Sequence, residues 1–251
     1  AVKANHDISS GLGTAFINSA INSNLAYRPE FVSNDYTQGK KVSVAIEREF
    51  RHCDAFYISV AFITEGGLAP LKQVLAELRD KGIPGKILTT SYLTFTEPKA
   101  LKTLADLSNV EVRVYDSTDE GASGFHTKGY IFKEEEIYRF IVGSSNMTAS
   151  AFSVNKEWNT KLVSTSDGEL LKQMMTEFNA LWNSKHTLAI KDFIEDYEVR
   201  YRLIKEQKKN AAKEQMVDFQ AYKLQPNKMQ ARFVSNFRKL LESNEHRGLL
   251  V

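Results

Sequence analysis

Residues 125–146, which read FHTKGYIFKEEEIYRFIVGSSN, carry the clearest structural and chemical signal in the sequence. Two apolar runs, residues 129–132 and 137–142, have the length and the aromatic and β-branched content of buried strands. The acidic segment 133–136 between them predicts a turn, so the two strands are expected to be neighbours in a sheet. Polar residues stand directly before the first strand and directly after the second.

His126 and Lys128 stand two residues apart where the first of these strands begins. Side chains two apart along a strand point to the same face, so these two are predicted to lie together. A lysine ammonium neutralises phosphate oxygens, and a neutral imidazole is nucleophilic near neutral pH. The pair therefore indicates a site where an anion binds and is attacked, although two solvated side chains on a strand edge have the same spacing.

Gly143, Ser144, Ser145 and Asn146 follow the second strand. A strand-to-loop corner of this kind is expected to present backbone N–H groups, hydroxyls and an amide, which together bind phosphate. The alternative is an ordinary polar turn.

Glu157 stands eleven residues after Asn146, at the start of a further predicted strand. A carboxylate at this position is expected to hydrogen-bond the imidazole of His126, to fix its tautomer and to stabilise its charged form. The alternative is an exposed glutamate at a strand end.

The rest of the first 184 residues alternates strand-like and helix-like runs. Nearly continuous apolar runs predict buried strands, and apolar residues at helical spacing predict amphipathic helices. The predicted strands span residues 55–63, 86–90, 110–115 and 158–164. The predicted helices span residues 12–22, 41–51, 68–81, 97–107 and 167–183. This alternation predicts an α/β domain over residues 1–184, with a mixed sheet flanked by helices.

The composition is that of a globular protein. Of 251 residues, 42% are hydrophobic and 25% are charged, which excludes a mainly disordered or fibrous chain. Cys53 is the only cysteine, so an intramolecular disulfide and a cysteine-rich zinc site are excluded, and a reducing cytoplasm is inferred. No apolar run of about 18 residues occurs, so no membrane span is predicted. No acidic cluster accompanies the His–Lys motif, so no metal is expected there.

After residue 184 the strand signals stop and the chain becomes more basic. From residue 185 onward, 14 Lys and Arg stand against 9 Asp and Glu. Residues 185–223 are predicted to form a helical linker, and a basic helix of this kind faces either nucleic acid or solvent. Residues 224–227, LQPN, precede a predicted helix at 228–241. Residues 247–251, RGLLV, have the composition of a buried strand, and a chain that stops there is expected to be a fragment.

The sequence resembles the phospholipase D superfamily, whose motif is H-x-K, then an apolar strand, then G-S-x-N, then an acidic residue. The matching residues are His126, Lys128, Gly143, Ser144, Asn146 and Glu157. The resemblance covers roughly residues 20–184. Lys133 stands where the family often has an aspartate, a departure that weakens a lipase interpretation more than a nuclease interpretation.

The resemblance implies that His126 attacks phosphorus and forms a phosphohistidine, which water then hydrolyses. Lys128 and Asn146 would hold the negative charge in place of a metal ion. Members with one motif complete their site by homodimerisation, and the histidine of the second copy protonates the leaving oxygen. Because a single H-x-K occurs in this chain, a homodimer is implied.

The C-terminal segment resembles the start of a superfamily-two helicase motor. In such motors a glutamine shortly after a proline reads adenine, which implies that role for Gln230. The phosphate loop G-x-x-x-x-G-K-[ST] does not occur in the sequence. We therefore expect residues 224–251 to begin a truncated motor, with ATP and Mg²⁺ bound only by a full-length parent. A simple amphipathic helix after a turn is the alternative.

Together these patterns predict a nuclease-like domain that cleaves DNA, within a restriction or defence-type helicase. DNA is preferred to lipid because of the helicase-like tail and because no amphipathic membrane-binding segment is recognised. Two alternatives stay open. One is a catalytically inactive DNA-binding or dimerising module of the same helicase, and the other is a phospholipid phosphodiesterase.

Overall fold

A computed structural model of the chain describes residues 2–221 and 228–242. Within them, eight strands form one mixed sheet in the order β1-β7-β6-β5-β2-β3-β4-β8. The strands are β1 (Glu30–Val32), β2 (Ala55–Val60), β3 (Gly85–Thr90), β4 (Val110–Tyr115), β5 (Lys128–Glu134), β6 (Ile137–Gly143), β7 (Asn159–Thr165) and β8 (Thr187–Ala189). β2, β3 and β4 are parallel, whereas β5, β6, β7 and β1 continue the sheet antiparallel.

Nine α-helices occur in the same described residues. They are α1 (Val2–Phe16), α2 (Val42–Phe50), α3 (Glu65–Leu68), α4 (Lys72–Asp80), α5 (Pro98–Ala105), α6 (Ala149–Ser153), α7 (Glu169–Trp182), α8 (Ile190–Ala221) and α9 (Lys228–Glu242). Helices connect β2 to β3 and β3 to β4, because parallel neighbours need a crossover connection.

The sheet is covered by helices on both faces. The central strands place alternate apolar side chains on the two faces, as the period of two requires. One face packs against α2, α4 and α5 in the largest core cluster, which includes Ile46, Phe50 and Leu101. The other face packs against α7 through Leu171, Phe178 and Trp182. The predicted α/β architecture, a mixed sheet flanked by helices with a helical C-terminal extension, is confirmed.

The first structural unit is longer than the predicted domain of residues 1–184. It extends through Arg202, so part of the predicted linker at 185–223 belongs to it. β8 pairs antiparallel with β4, and Phe193 and Tyr197 of α8 are buried in the main core. Three residues are too few for a strand pattern, so only the pairing with β4 reveals β8. The first helix also differs from prediction, ending at Phe16 instead of spanning residues 12–22.

A second unit begins at Leu203 and contains the rest of α8 and the described helix α9. α9 matches the helix predicted at 228–241, and Phe233 and Phe237 stack on it with ring centroids 5.8 Å apart. The predicted motor segments at 224–227 and 247–251 lie outside the described residues, and so does the side chain of Gln230. Among the described helices, none combines the length and the apolar character that crossing a membrane requires.

A buried lysine joins the edge of the sheet to α2. Lys161 on β7 is only 3% exposed, and its Nζ lies 2.8 Å from Oε1 of Glu30 and 3.5 Å from Oε1 of Glu49. Glu49 is itself buried and also pairs with Arg48 and Arg139. Burial alone would raise the pKa of Glu30, but hydrogen bonds from Lys161 and Arg48 outweigh burial and lower this pKa. The cluster therefore fixes β1, β6 and β7 against α2.

We predict that Lys161→Met lowers the free energy of unfolding by about 3 kcal/mol, because it leaves the buried carboxylate of Glu49 with fewer cations. Arg79→Met is the matched control. The pair Arg79–Asp80 is exposed, so this change should cost less than about 1 kcal/mol. Urea unfolding monitored by circular dichroism measures both values.

The pH dependence provides a second test of the same cluster. The pKa of Glu30 is lower in the folded state than in the unfolded chain. Ionised Glu30 therefore contributes its full amount to the free energy of unfolding above its ordinary pKa. That contribution is lost as the pH falls through the lower pKa of the folded state. The stability difference between the native chain and Lys161→Met should therefore shrink below about pH 4.5. A difference that stays constant into strong acid would contradict this interpretation.

Candidate active site

Four strand ends meet at one edge of the sheet, and they carry the predicted site residues. Because β5 runs antiparallel to β2, Val60 near the end of β2 pairs with Lys128 at the start of β5. β6 then returns to the same edge, where Gly143 pairs with Asn159 at the start of β7. Val60 and Lys128, which are 68 positions apart in the sequence, are thereby brought together.

His126 and Lys128 are in direct contact at this edge, as their spacing predicted. The Nζ atom of Lys128 lies 2.9 Å from Nδ1 of His126 and also donates to the His126 carbonyl at 3.0 Å. The intervening Thr127 points elsewhere, and its hydroxyl lies 2.6 Å from that of Ser59. His126 is exposed, so this arrangement presents its imidazole to solvent beside a cation.

The electrostatics of Lys128 connect it to Glu157. Partial burial lowers the pKa of the Lys128 ammonium, and the negative charge of Glu157 partly opposes that effect. Tyr130 is fully buried on the same strand, and its pKa is raised well above the usual value, first by burial and then by Glu157. The carboxylate of Glu157 therefore lies within electrostatic range of the strand that follows the motif.

Glu157 does not make the hydrogen bond to His126 that the sequence predicted. Its carboxylate accepts hydrogen bonds from the hydroxyls of Ser144 and Ser145, the latter at 3.4 Å, and from the Asn155 amide at 3.5 Å. Glu157 is only 7% exposed. The structure places it beneath the corner after β6, where it acts on Lys128 through its charge.

The predicted phosphate cradle at Gly143, Ser144 and Ser145 also differs from expectation. The backbone N–H of Ser144 donates to the Trp158 carbonyl at 3.1 Å, and that of Ser145 donates to Oδ1 of Asn159 at 3.2 Å. These N–H groups are therefore engaged in joining β6 to β7.

Gly143 is required by the same close approach of β6 and β7. A Cβ atom at this position would lie 2.2 Å from the carbonyl oxygen of Trp158, well inside van der Waals contact. The three residues thus build the corner that holds Glu157 in place.

Asn146 is the predicted donor that faces the larger of two open spaces at the site. Its Oδ1 accepts from the backbone N–H of Phe62 at 3.2 Å, which orients the side-chain NH₂ group. Asn146 and Glu157 line an open cleft of about 590 Å³, with Phe62 and Phe95 also in its walls. Lys128 lines a second, largely apolar groove of about 400 Å³ between β5 and α7.

The loop that leads into His126 is anchored at three points. Asp119 lies 2.6 Å from Nδ1 of the buried His186, and hydrogen bonding from His186 lowers the pKa of Asp119. Arg200 on α8 donates to the Thr118 hydroxyl at 2.8 Å. Phe125, directly before His126, is buried against Tyr115 with ring centroids 5.4 Å apart. These contacts fix where the strand and its histidine begin.

Sequence reasoning missed three residues that shape the site. Asn159 bonds both the N–H and the hydroxyl of Ser145, and its place two residues after Glu157 was the available signal. Phe62 and Phe95 form the aromatic wall of the cleft, and no local pattern marks them. Their proximity depends on the packing of β2 against the segment after β3.

Other candidate chemistries find little support in the described residues. No group of three or more His, Cys, Asp or Glu side chains that could hold a metal ion occurs within residues 2–221 and 228–242. Cys53 is buried, and burial raises the pKa of its thiol to about 12, so it is not a thiolate at neutral pH.

Comparisons with solved structures found several proteins of similar architecture. NucT from Helicobacter pylori matches with 14% identity and a TM-score of 0.49 over 64% of this chain and 98% of its own. Nuc from Salmonella typhimurium, a phospholipase D family member, matches with 16% identity and a TM-score of 0.47 over the same shares. Phosphatidylserine synthase from Haemophilus influenzae matches with 15% identity and a TM-score of 0.47, over 75% of this chain and 46% of its own.

A search of the curated proteins found no match. The family model described as "Cardiolipin synthase, PLD-like domain" matches residues 54–182, which is more than half of the chain and includes His126, Lys128, Asn146 and Glu157. This protein therefore belongs to the phospholipase D-like (PLD-like) domain family.

Proposed function

We propose that this protein hydrolyses phosphodiester bonds in DNA through a covalent intermediate on His126. The observation that carries the proposal is the contact between the His126 imidazole and the Lys128 ammonium at an exposed sheet edge. A histidine beside a cation suits attack on an anionic phosphodiester, because the ammonium neutralises the phosphate oxygens. Asn146 adds a donor oriented by Phe62, and Glu157 adds a buried negative charge near the lysine.

In the proposed mechanism a ring nitrogen of His126 attacks phosphorus, and the bond from phosphorus to the leaving oxygen breaks. The leaving oxygen takes a proton from His126 of the partner subunit, which enters the reaction as an imidazolium. Lys128 and Asn146 stabilise the charge that develops on the remaining phosphate oxygens. Water, deprotonated by the partner's His126, then attacks phosphorus, breaks the phosphorus–nitrogen bond and restores His126.

DNA as the substrate is supported by the charge of the C-terminal quarter, where 14 basic residues stand against 9 acidic residues from residue 185 onward. Basic surface supplies sequence-independent affinity for the phosphate backbone. We further propose that the chain acts with a helicase motor in restriction or defence, on the basis of the residues around Gln230. A G-x-x-x-x-G-K-[ST] motif shortly downstream in the coding sequence of the gene would support this proposal. A gene that encodes no helicase motor would contradict it.

A phospholipid phosphodiester is the second candidate substrate, and one observation favours it. The apolar groove of about 400 Å³ beside Lys128 is lined by Ile131, Leu170, Met174 and Phe178, which suit an acyl chain. Hydrolysis of phosphatidylglycerol in detergent micelles tests this candidate. Cleavage of micellar lipid with no cleavage of DNA would replace the first proposal.

The first prediction concerns the nucleophile. His126→Ala should lower kcat for cleavage of plasmid and single-stranded DNA at least about a thousand-fold, since the attacking group itself is lost. His52→Ala is the matched control, because His52 is exposed and lies outside the cleft. Equal losses in both variants would contradict the assignment, and a native chain inactive on every phosphodiester would favour a non-catalytic DNA-binding module.

The second prediction is that activity survives complete removal of divalent cations. Lys128 and Asn146 are proposed to supply the positive charge and hydrogen bonds that a metal supplies elsewhere. DNA cleavage should be unchanged after dialysis against excess EDTA, with a magnesium-dependent nuclease assayed in parallel to show that chelation was complete. Loss of activity that returns with added Mg²⁺ would refute the proposed charge stabilisation.

The third prediction is a two-fold homodimer with one shared site. Each chain carries one His126, whereas the reaction needs a nucleophile and a separate acid, and a two-fold axis brings two copies together. Light scattering should give twice the mass of one chain. When native and His126→Ala chains are mixed and allowed to exchange, activity should fall with the square of the native fraction. A linear fall, or an active monomer, would exclude a shared site.

A further inference from the structure

An aromatic pair lies directly beside the proposed nucleophile. The ring of Phe62 lies with its centroid 6.0 Å from that of His126, and the ring of Phe95 lies 5.0 Å from that of Phe62. Phe95 keeps 49% of its surface exposed although it is a large apolar residue. Both rings line the open cleft that Asn146 and Glu157 share. An exposed aromatic surface therefore continues from the imidazole into the cleft.

The backbone holds Phe95 in this position. Leu93 and Thr94 both have positive φ, 53° and 52°, a conformation that residues with a Cβ rarely adopt. On the other side, the hydroxyl of the buried Thr96 lies within hydrogen-bond distance of the Ala61 and Thr90 carbonyls, at 3.2 Å and 3.1 Å. The backbone N–H of Glu97 donates to the Ile63 carbonyl at 2.8 Å. The backbone of Phe95 is thus fixed on both sides, and the strained residues Leu93 and Thr94 hold its ring at the cleft.

We infer that Phe95, supported by Phe62, stacks against an unpaired base of the nucleic acid strand being cut, so that the preferred substrate is single-stranded. This inference rests on the proposed hydrolysis of DNA at His126. A base is joined to its phosphate only through the sugar, so a phosphate held at His126 brings a neighbouring base within reach of these rings. In a duplex that base is paired and stacked inside the helix. An exposed aromatic ring stacks readily on bases of a single strand.

The rest of the cleft favours a base over an acyl chain. Besides the two rings, the lining includes Asn146, Thr148 and Asn155. Amide and hydroxyl groups hydrogen-bond the polar edges of a base, whereas an acyl chain would leave them unsatisfied. The combination of aromatic rings with amide and hydroxyl groups in one cleft therefore matches a nucleobase.

The test is equilibrium binding of a fluorescein-labelled oligothymidylate, measured by anisotropy in a His126→Ala background that prevents cleavage. Phe95→Ala should weaken binding at least about five-fold, the lower end of the loss for one stacked base. Phe95→Leu should weaken it similarly, because leucine keeps the apolar bulk but has no ring, whereas Phe95→Trp should retain affinity. Phe16→Ala, which removes an exposed phenylalanine from α1, should change nothing.

An oligomer of the same length with abasic residues decides the question even if a Phe95 variant fails to fold. The His126→Ala chain with Phe95 intact should bind the abasic oligomer at least about five-fold more weakly than oligothymidylate. Equal binding of the two oligomers, or full affinity in Phe95→Leu, would overturn the inference. So would a Phe95→Ala defect that is confined to micellar phosphatidylglycerol.

The two proposals fail in different ways. If the native chain cleaves no phosphodiester but binding stays base-dependent, hydrolysis is refuted and stacking stands. If the native chain cleaves oligothymidylate and its abasic counterpart equally, and binds them equally, hydrolysis stands and stacking is refuted.

Discussion

The antiparallel pairing of β5 with β2 is the constraint on which the site depends. β2 lies at the centre of the sheet, buried between helices on both faces, so its position is fixed by the main core. Pairing of Val60 with Lys128 places the start of β5 at the end of β2. A shift of one residue in this register would turn His126 and Lys128 to the opposite face. The chemistry at the sheet edge is therefore held in place by core packing some distance away.

The neighbouring corner shows how much of a site serves to position the rest. Gly143 allows β6 and β7 to approach, and Ser144, Ser145 and Asn159 satisfy one another there. Within this network the carboxylate of Glu157 is buried and accepts several hydrogen bonds. A buried charge requires such hydrogen bonds. The charge reaches Lys128 through space. Glu157, which the motif suggests as a direct partner of His126, thus acts on Lys128 through its negative charge.

Long apolar runs were enough to predict the central strands and the helices between them, because burial on both faces leaves an unbroken hydrophobic pattern. The two edge strands, β1 and β8, were not recognised. Each has three residues and exists because a longer neighbour, β7 or β4, offers it hydrogen bonds. The same reason explains the domain boundary: residues after 184 look like a charged linker, yet Phe193 and Tyr197 are buried in the core. Such burial depends on partners distant in the sequence.

The sequence by itself determined which chemical groups are present and which of them share a face. His126 stands two residues before Lys128, the first residue of β5, and this spacing in an extended chain puts the two side chains on one side. The tertiary structure decided which groups are already engaged. In the folded chain the N–H groups of Ser144 and Ser145 are hydrogen-bonded to β7 and the residue before it. Glu157 accepts from the serine hydroxyls. The rings of Phe62 and Phe95 lie beside His126. Hydrogen bonds and ring contacts between separate segments depend on distances that chain folding sets, and a local pattern contains no information about them.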